Sequence, residues 1–171
     1  MDINIVTGYF SQYGLLAVFV IVFLEYLNLP GFPAGIIMPL AGVMASSGHN
    51  SFLVTLLVST AAGVLGSEML YLLGRFGGKP FEKFIKKHFP KQIESVDKCL
   101  GWIREKGYTG VFLAKLIPAV RTLVSIPAGM VGLEPIKYTI YSALGVLIWN
   151  AVFVGAGYFI GDGIFAILAR F

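Results

Sequence analysis

Long apolar runs fill most of the chain, and two of them are broken by proline in the same manner. From about Ile3 to Leu29, and again from about Ser51 to Leu73, each run is long enough to enter or cross a hydrocarbon layer of roughly 30 Å. Between Asp2 and Glu68 the single charge is Glu25. The first run continues as FLEYLNLPGFPAGIIMPLAG, with Glu25, Pro30, Pro33 and Pro39. Its counterpart in the second half reads FLAKLIPAVRTLVSIPAGMVG, with Lys115, Pro118, Arg121 and Pro127. Unwound backbone survives at membrane depth only where it lines a cavity, so matched interruptions point to a binding site. After each interruption the pattern predicts a longer apolar helix, over 51–74 and 136–160.

The two halves resemble each other beyond the prolines. Gly63-Val64-Leu65, followed by Tyr71 and glycines 74, 77 and 78, parallels Gly145-Val146-Leu147, followed by Phe153 and glycines 155, 157 and 161. Pro39-Leu-Ala-Gly-Val-Met likewise parallels Pro127-Ala-Gly-Met-Val. The fold expected is an all-α integral membrane protein built as an inverted repeat. Each half is a re-entrant helical hairpin plus a transmembrane helix, within one membrane domain 1–171: first half 1–78, connector 79–106, second half 107–171. A fully spanning alternative is harder, because 31–47 is near the lower length limit and Lys115 and Arg121 would lie inside a span.

Charge sharpens this picture at the connector. From Arg75 to Lys106 there are nine Lys or Arg against four acids, a net of +5, while the remainder of the chain sums to −1. By the positive-inside rule this central segment belongs on the cytoplasmic side of the cell membrane. Phe81, Phe84, Ile85 and Phe89 recur at helical spacing before Pro90, and Ile93, Val96, Leu100 and Ile103 after it. Two short amphipathic helices are predicted, lying along the membrane face with Trp102 at the interface. The mixture of acids among the bases argues against nucleic acid as a partner.

Composition then excludes most other classes. Hydrophobic residues make up 57% of the 171, charged residues 13%, and the mean hydropathy is +0.81. Such a chain is an integral membrane protein. Asp2 in place of a basic n-region argues against a cleaved signal peptide. Cys99 is the only cysteine, which excludes an internal disulfide and a thiolate metal cluster. No cofactor and no metal site is expected. Ser47-Gly48-His49 resembles a lipid-phosphatase box, but its order relative to the basic residues is wrong for that chemistry, and His88 sits in the basic connector. No catalytic residues are assigned, and the chain is read as a non-enzyme.

What remains is chemistry for binding. A charge at the centre of a membrane helix costs about 2.5 to 3.5 kcal/mol, so Glu25, Glu68, Lys115 and Arg121 should face one another or water. If the chain turns at Pro118, Lys115 and Arg121 can point at one anionic phosphate, with Arg121 as the bidentate fork. Glu25 would pair with a cation in the empty site and be displaced or protonated when lipid arrives. Glu68 and Asn150, at corresponding places in the two long helices, are further candidates, as are carbonyls freed by Pro30, Pro33 and Pro118. Tyr26 is read as packing or interfacial.

The run FLAKLIPAVRTLVSIPAG resembles the signature of the DedA family (SNARE-associated, VTT-domain membrane proteins), Phe-x-Arg-x-x-Pro-x-x-Arg followed by an Ala-Gly turn, with Pro118 and Arg121 in register. Glu25, Pro30, Pro33, Leu40, Ala41 and Gly42 resemble its first-half pattern, and Tyr71, Gly74, Arg75 and Gly78 its glycine-rich helix. The resemblance implies two opposed re-entrant hairpins and movement of lipids across the bilayer. It implies undecaprenyl phosphate flipping first, passive or proton-coupled, with phosphatidylethanolamine flipping or scrambling as alternative. An ion channel or membrane scaffold is the alternative of another class. Expected partners are a lipid with an anionic phosphate headgroup, the membrane, and a homo-oligomer. Two departures stand out: Lys115 replaces the first arginine, and Ala34-Gly35 stands where a small-acidic pair is common, which weakens proton coupling.

Overall fold

A computed structural model describes the backbone of residues 3–27, 34–46, 51–88, 90–118 and 120–168, and side chains over 14–27, 38–46, 51–77, 98–118 and 120–160. Pro30, Pro33 and the Ser47-Gly48-His49 box lie outside the described residues, as do the side chains of Ala34, Gly35, His88 and the apolar connector residues from Phe81 to Val96. Six helices are described: α1 (Ile3–Tyr26), α2 (Ala34–Ser46), α3 (Phe52–His88), α4 (Pro90–Lys115), α5 (Ser125–Val131) and α6 (Pro135–Leu168). Among the described residues there is no strand.

The two predicted long helices are present as parts of α3 and α6, apolar over Phe52–Gly77 and Pro135–Ile160. Their outward faces carry large apolar side chains at helical spacing. On α6 these are Ile136, Ile140, Leu144, Ile148 and Val152; on α3 they include Leu53, Leu57, Leu65, Leu72 and Phe76. Their inward faces are small or polar: Thr55, Ser59, Ala62, Ser67 and Tyr71 on α3, Tyr138, Ser142, Val146 and Asn150 on α6. Apolar outside and small or hydroxylated inside suits a helix whose solvent is lipid, where packing and interhelical hydrogen bonds replace hydrophobic drive.

The connector departs from its prediction. Rather than two separate short helices, the first is the continuation of α3, which runs through Gly77 to His88 without interruption. α4 then starts at Pro90 and extends past the connector to Lys115, bent at Gly107 (φ 57°). α1 carries an equivalent bend at Gly14 (φ 20°). Only glycine takes such angles cheaply, so each apolar arm begins at a glycine.

The chain forms two compact units, neither of which is one sequence half. One comprises Met1–Glu25, Leu29–Gly63 and Leu147–Phe171; the other comprises Tyr26–Asn28 and Val64–Val146. Each unit contains the same glycine contact. In the first, a Cβ on Gly42 of α2 would overlap the carbonyl of Val154, and one on Gly157 of α6 would overlap the carbonyl of Pro39. In the second, a Cβ on Gly129 of α5 would overlap the carbonyl of Tyr71, and one on Gly74 of α3 would overlap the carbonyl of Ile126. A short helix from each half thus packs backbone-to-backbone on the long helix of the other half. The contacts pair Tyr71 with Val154 and Gly74 with Gly157, one residue on from the register suggested by the sequence. Gly155, read as a packing glycine, has nothing within 4 Å of a built Cβ.

In the unit containing Val64–Val146, α5 ends at Gly132 in the left-handed conformation (φ 75°), and the Leu133 and Gly132 amides return to Ala128 and Gly129 carbonyls. The Leu133 carbonyl accepts from the Tyr71 hydroxyl and, at 2.8 Å, from Arg75. Arg75 also donates to the Tyr71 hydroxyl at 2.5 Å. The start of α6 is tied to the bend in α4, because the Glu134 amide donates to the Tyr108 hydroxyl at 3.1 Å and Tyr108 stacks on Tyr141.

Candidate functional site

Pro118 dictates the local path of the second interruption. It has no N–H to continue α4, so the chain tightens into i→i+3 turns, Leu116 to Leu113 and Ile117 to Ala114, each at 3.1 Å. The Val120 and Arg121 amides then bond the Ile117 carbonyl, and residues 121–124 turn into α5. This reversal brings Lys115, at the end of α4, and Arg121 to a common centre. Each is only 1% exposed.

The centre is the ring of Tyr26, itself 1% exposed. The Arg121 guanidinium carbon lies 4.6 Å from the ring centroid and the Lys115 ammonium 5.8 Å. Lys115 Nζ also donates to Ser67 Oγ at 2.7 Å and to Ser125 Oγ at 3.0 Å. The Tyr138 hydroxyl donates to the Ser67 carbonyl at 3.3 Å, behind this arrangement. Gly145 of α6 makes room for the lysine, since a Cβ there would fall 2.5 Å from Lys115 Cβ. Two basic side chains are therefore buried around one aromatic ring, with two hydroxyls accepting from Lys115, and a pair of this kind suits an anionic group.

The other predicted residues are distributed more widely. Glu68, half-buried on α3 beside Ser67, accepts a 2.7 Å hydrogen bond from Thr139. Pro118 is exposed at the turn it causes. Glu25 is 4% exposed and Asn150 fully buried, both in the unit containing α2. Asn150 donates to Ser59 Oγ at 3.4 Å. Tyr26, read from sequence as packing or interfacial, is buried and is also the ring that both basic groups approach, and Ser67 and Ser125 were not anticipated at all. The available signals were the placement of Tyr26 directly after the buried carboxylate and of Ser125 four residues after Arg121. Among the described residues no three His, Cys, Asp or Glu side chains gather as metal ligands.

A helical membrane protein with a buried Lys–Arg pair beside a proline-made turn is the class these features define. The model of the VTT domain matches residues 32–159, and the chain belongs to this family, that of DedA-type membrane proteins. It is 30% identical to undecaprenyl phosphate transporter A of Staphylococcus aureus, over 86% of this chain and 74% of that protein. It is 30% identical to protein DedA of Escherichia coli, over 88% of this chain and 72% of that protein. It is also 29% identical to an alkaline phosphatase-like protein of Lactococcus lactis, over 93% of this chain and 76% of that protein. No solved structure matches.

Proposed function

We propose that the protein moves a phosphate-bearing lipid across the cell membrane, with undecaprenyl phosphate as the first substrate to test. The observation that carries this reading is the buried Lys115–Arg121 pair around Tyr26. Two buried cations are costly to keep in a membrane protein, and a mobile anionic headgroup is the chemistry that justifies them. The name of the Staphylococcus aureus relative supports the same substrate. Phosphatidylethanolamine offers a phosphate too, and Glu68 gives its ammonium a carboxylate.

In this reading the two interrupted segments are re-entrant hairpins of opposite orientation. The glycine contact made once in each unit supports an internal duplication. Arg121 grips the phosphate as a fork and Lys115 as a point charge. Pro118 opens backbone groups along the headgroup path, Asn150 contributes a neutral donor, and Glu25 takes up a proton as lipid arrives. The connector faces the cytoplasm.

The test is a flipping assay in proteoliposomes with undecaprenyl phosphate and phosphatidylethanolamine in parallel. Wild type should flip the former faster, and Arg121→Ala should lose about 100-fold, the weight of a charge-assisted bidentate contact. Absence of flipping of either lipid by wild type would overturn the transport reading. Release of inorganic phosphate in the same vesicles would instead support the chemistry in the name of the Lactococcus lactis relative. Glu25→Gln should abolish any rate difference produced by an imposed pH gradient.

A further inference from the structure

Ser67, Tyr71 and Arg75 recur at every fourth position of α3 and so share one face, all within the unit that contains Val64–Val146. That face runs inward from the connector end. Arg75 is exposed, two residues before the apolar span ends at Gly77, while Ser67, whose hydroxyl accepts from Lys115, lies about 12 Å further along the helix at about 1.5 Å per residue. Between them the buried Tyr71 ring stacks on Tyr138 at 4.4 Å, and the Tyr138 hydroxyl donates to the Ser67 carbonyl. The hydroxyls of Tyr71, Tyr138 and Ser67 thus lead from an exposed guanidinium to the buried amine of Lys115.

The way Arg75 is tethered decides how its charge can be used. Its hydrogen bonds among the described residues both come from Nη1, to the Tyr71 hydroxyl at 2.5 Å and to the Leu133 carbonyl at 2.8 Å. A guanidinium carries five N–H groups, so the edge formed by Nε and Nη2 is left open, and such an edge forks onto a phosphate. Glu134, next to Leu133, is paired with Lys137 at 2.8 Å. On the adjoining face of α3, at the same level, Met69, Leu72, Leu73, Phe76 and Gly77 line an open apolar groove of about 450 Å³. A phosphate fork beside an apolar groove matches the two ends of one lipid. We propose that Arg75 and this groove form an entry station, where a phosphate-bearing lipid docks at the connector end before its headgroup reaches Lys115 and Arg121: the open edge of Arg75 takes the phosphate and the hydrocarbon chain lies along the groove. The onward step rests on the transport reading; the docking does not.

The test measures retention of radiolabelled undecaprenyl phosphate by the full chain in detergent, its melting temperature, and flipping in proteoliposomes. Arg75→Gln should weaken retention about tenfold, the weight of a charge-assisted fork, and Leu73→Ala about threefold through lost apolar contact. In flipping, Arg75→Gln should raise the half-maximal lipid concentration about tenfold and change the maximal rate less than about twofold. Tyr71→Phe, which removes one end of the tether but keeps the guanidinium, should stay within about threefold in retention. Unlabelled undecaprenyl phosphate should displace the label, whereas inorganic phosphate and undecaprenol, each lacking one end of the lipid, should do so at least tenfold less well. Retention that depends on Arg75 without flipping by wild type would keep the station and remove the transport reading. Displacement by inorganic phosphate as effective as by the lipid would overturn the proposal, because the groove would then contribute nothing. So would an Arg75→Gln protein that melts lower but retains lipid like wild type, or an equal loss in Tyr71→Phe, since Arg75 would then only latch α3 to the turn before α6.

Discussion

Lys115 and Ser67 make the most direct statement about single residues. The Lys115 side chain is 1% exposed, and its amine donates to the Ser67 and Ser125 hydroxyls. Hydrogen bonds to charged groups contribute about 1.5 to 3 kcal/mol. Ser67→Ala or Ser125→Ala should each destabilise the protein by about that amount, seen as lower melting temperature in detergent, while Ser46→Ala, whose hydroxyl only caps the Val43 carbonyl, should cost less than about 1 kcal/mol. In the connector, burial pushes the Cys99 thiol up to about 11. Its neutral form is favoured by the fold, so the associated stability is complete below the unfolded thiol's value near 9 and is lost as pH rises toward 11. Alkylation of native protein should accordingly stay slow through about pH 10 and become fast on unfolding.

Among the helices, the glycine contacts carry the clearest expectations. Gly42 against α6 and Gly129 against α3 make the same approach, so Gly42→Val and Gly129→Val should be similarly damaging. Overpacking of this kind costs about 1 to 3 kcal/mol, and more where backbone must move. Gly155→Ala should be neutral or stabilising by up to about 1 kcal/mol, because its missing Cβ meets open space within a helix. Thermal melts of the three variants in one detergent would compare them. A difference of several degrees between Gly42→Val and Gly129→Val would show that the two contacts are not equivalent.

For the whole molecule the question is which side of the membrane holds the connector. Single cysteines introduced at Lys98, Arg104 and Glu105, all exposed, should react with a membrane-impermeant maleimide only after the cytoplasmic face is opened. Buried Cys99 serves as the unreactive control. Labelling in intact cells would reverse the orientation. On the lipid-facing stripe, Ile148→Arg should lower membrane insertion by about 2.5 to 3.5 kcal/mol, measurable as lost membrane-fraction protein.

Hydropathy and proline spacing alone determined the solvent, the two long helices and the position of the cation pair along the chain, because lipid imposes length and polarity rules that act residue by residue. The helical continuation from α3 into the connector was not legible, since the glycines at 77 and 78 look like breakers although each costs a helix only about 1 kcal/mol. Nor was the exchange of helices between halves, which depends on where Gly42, Gly74, Gly129 and Gly157 let backbones touch. Tyr26 shows the remaining limit. Its type fits a core or an interface equally, and only a fold that carries Lys115 and Arg121 to opposite ends of a proline turn makes its ring their common partner. Local chemistry was written in the sequence; which distant groups met was decided by packing.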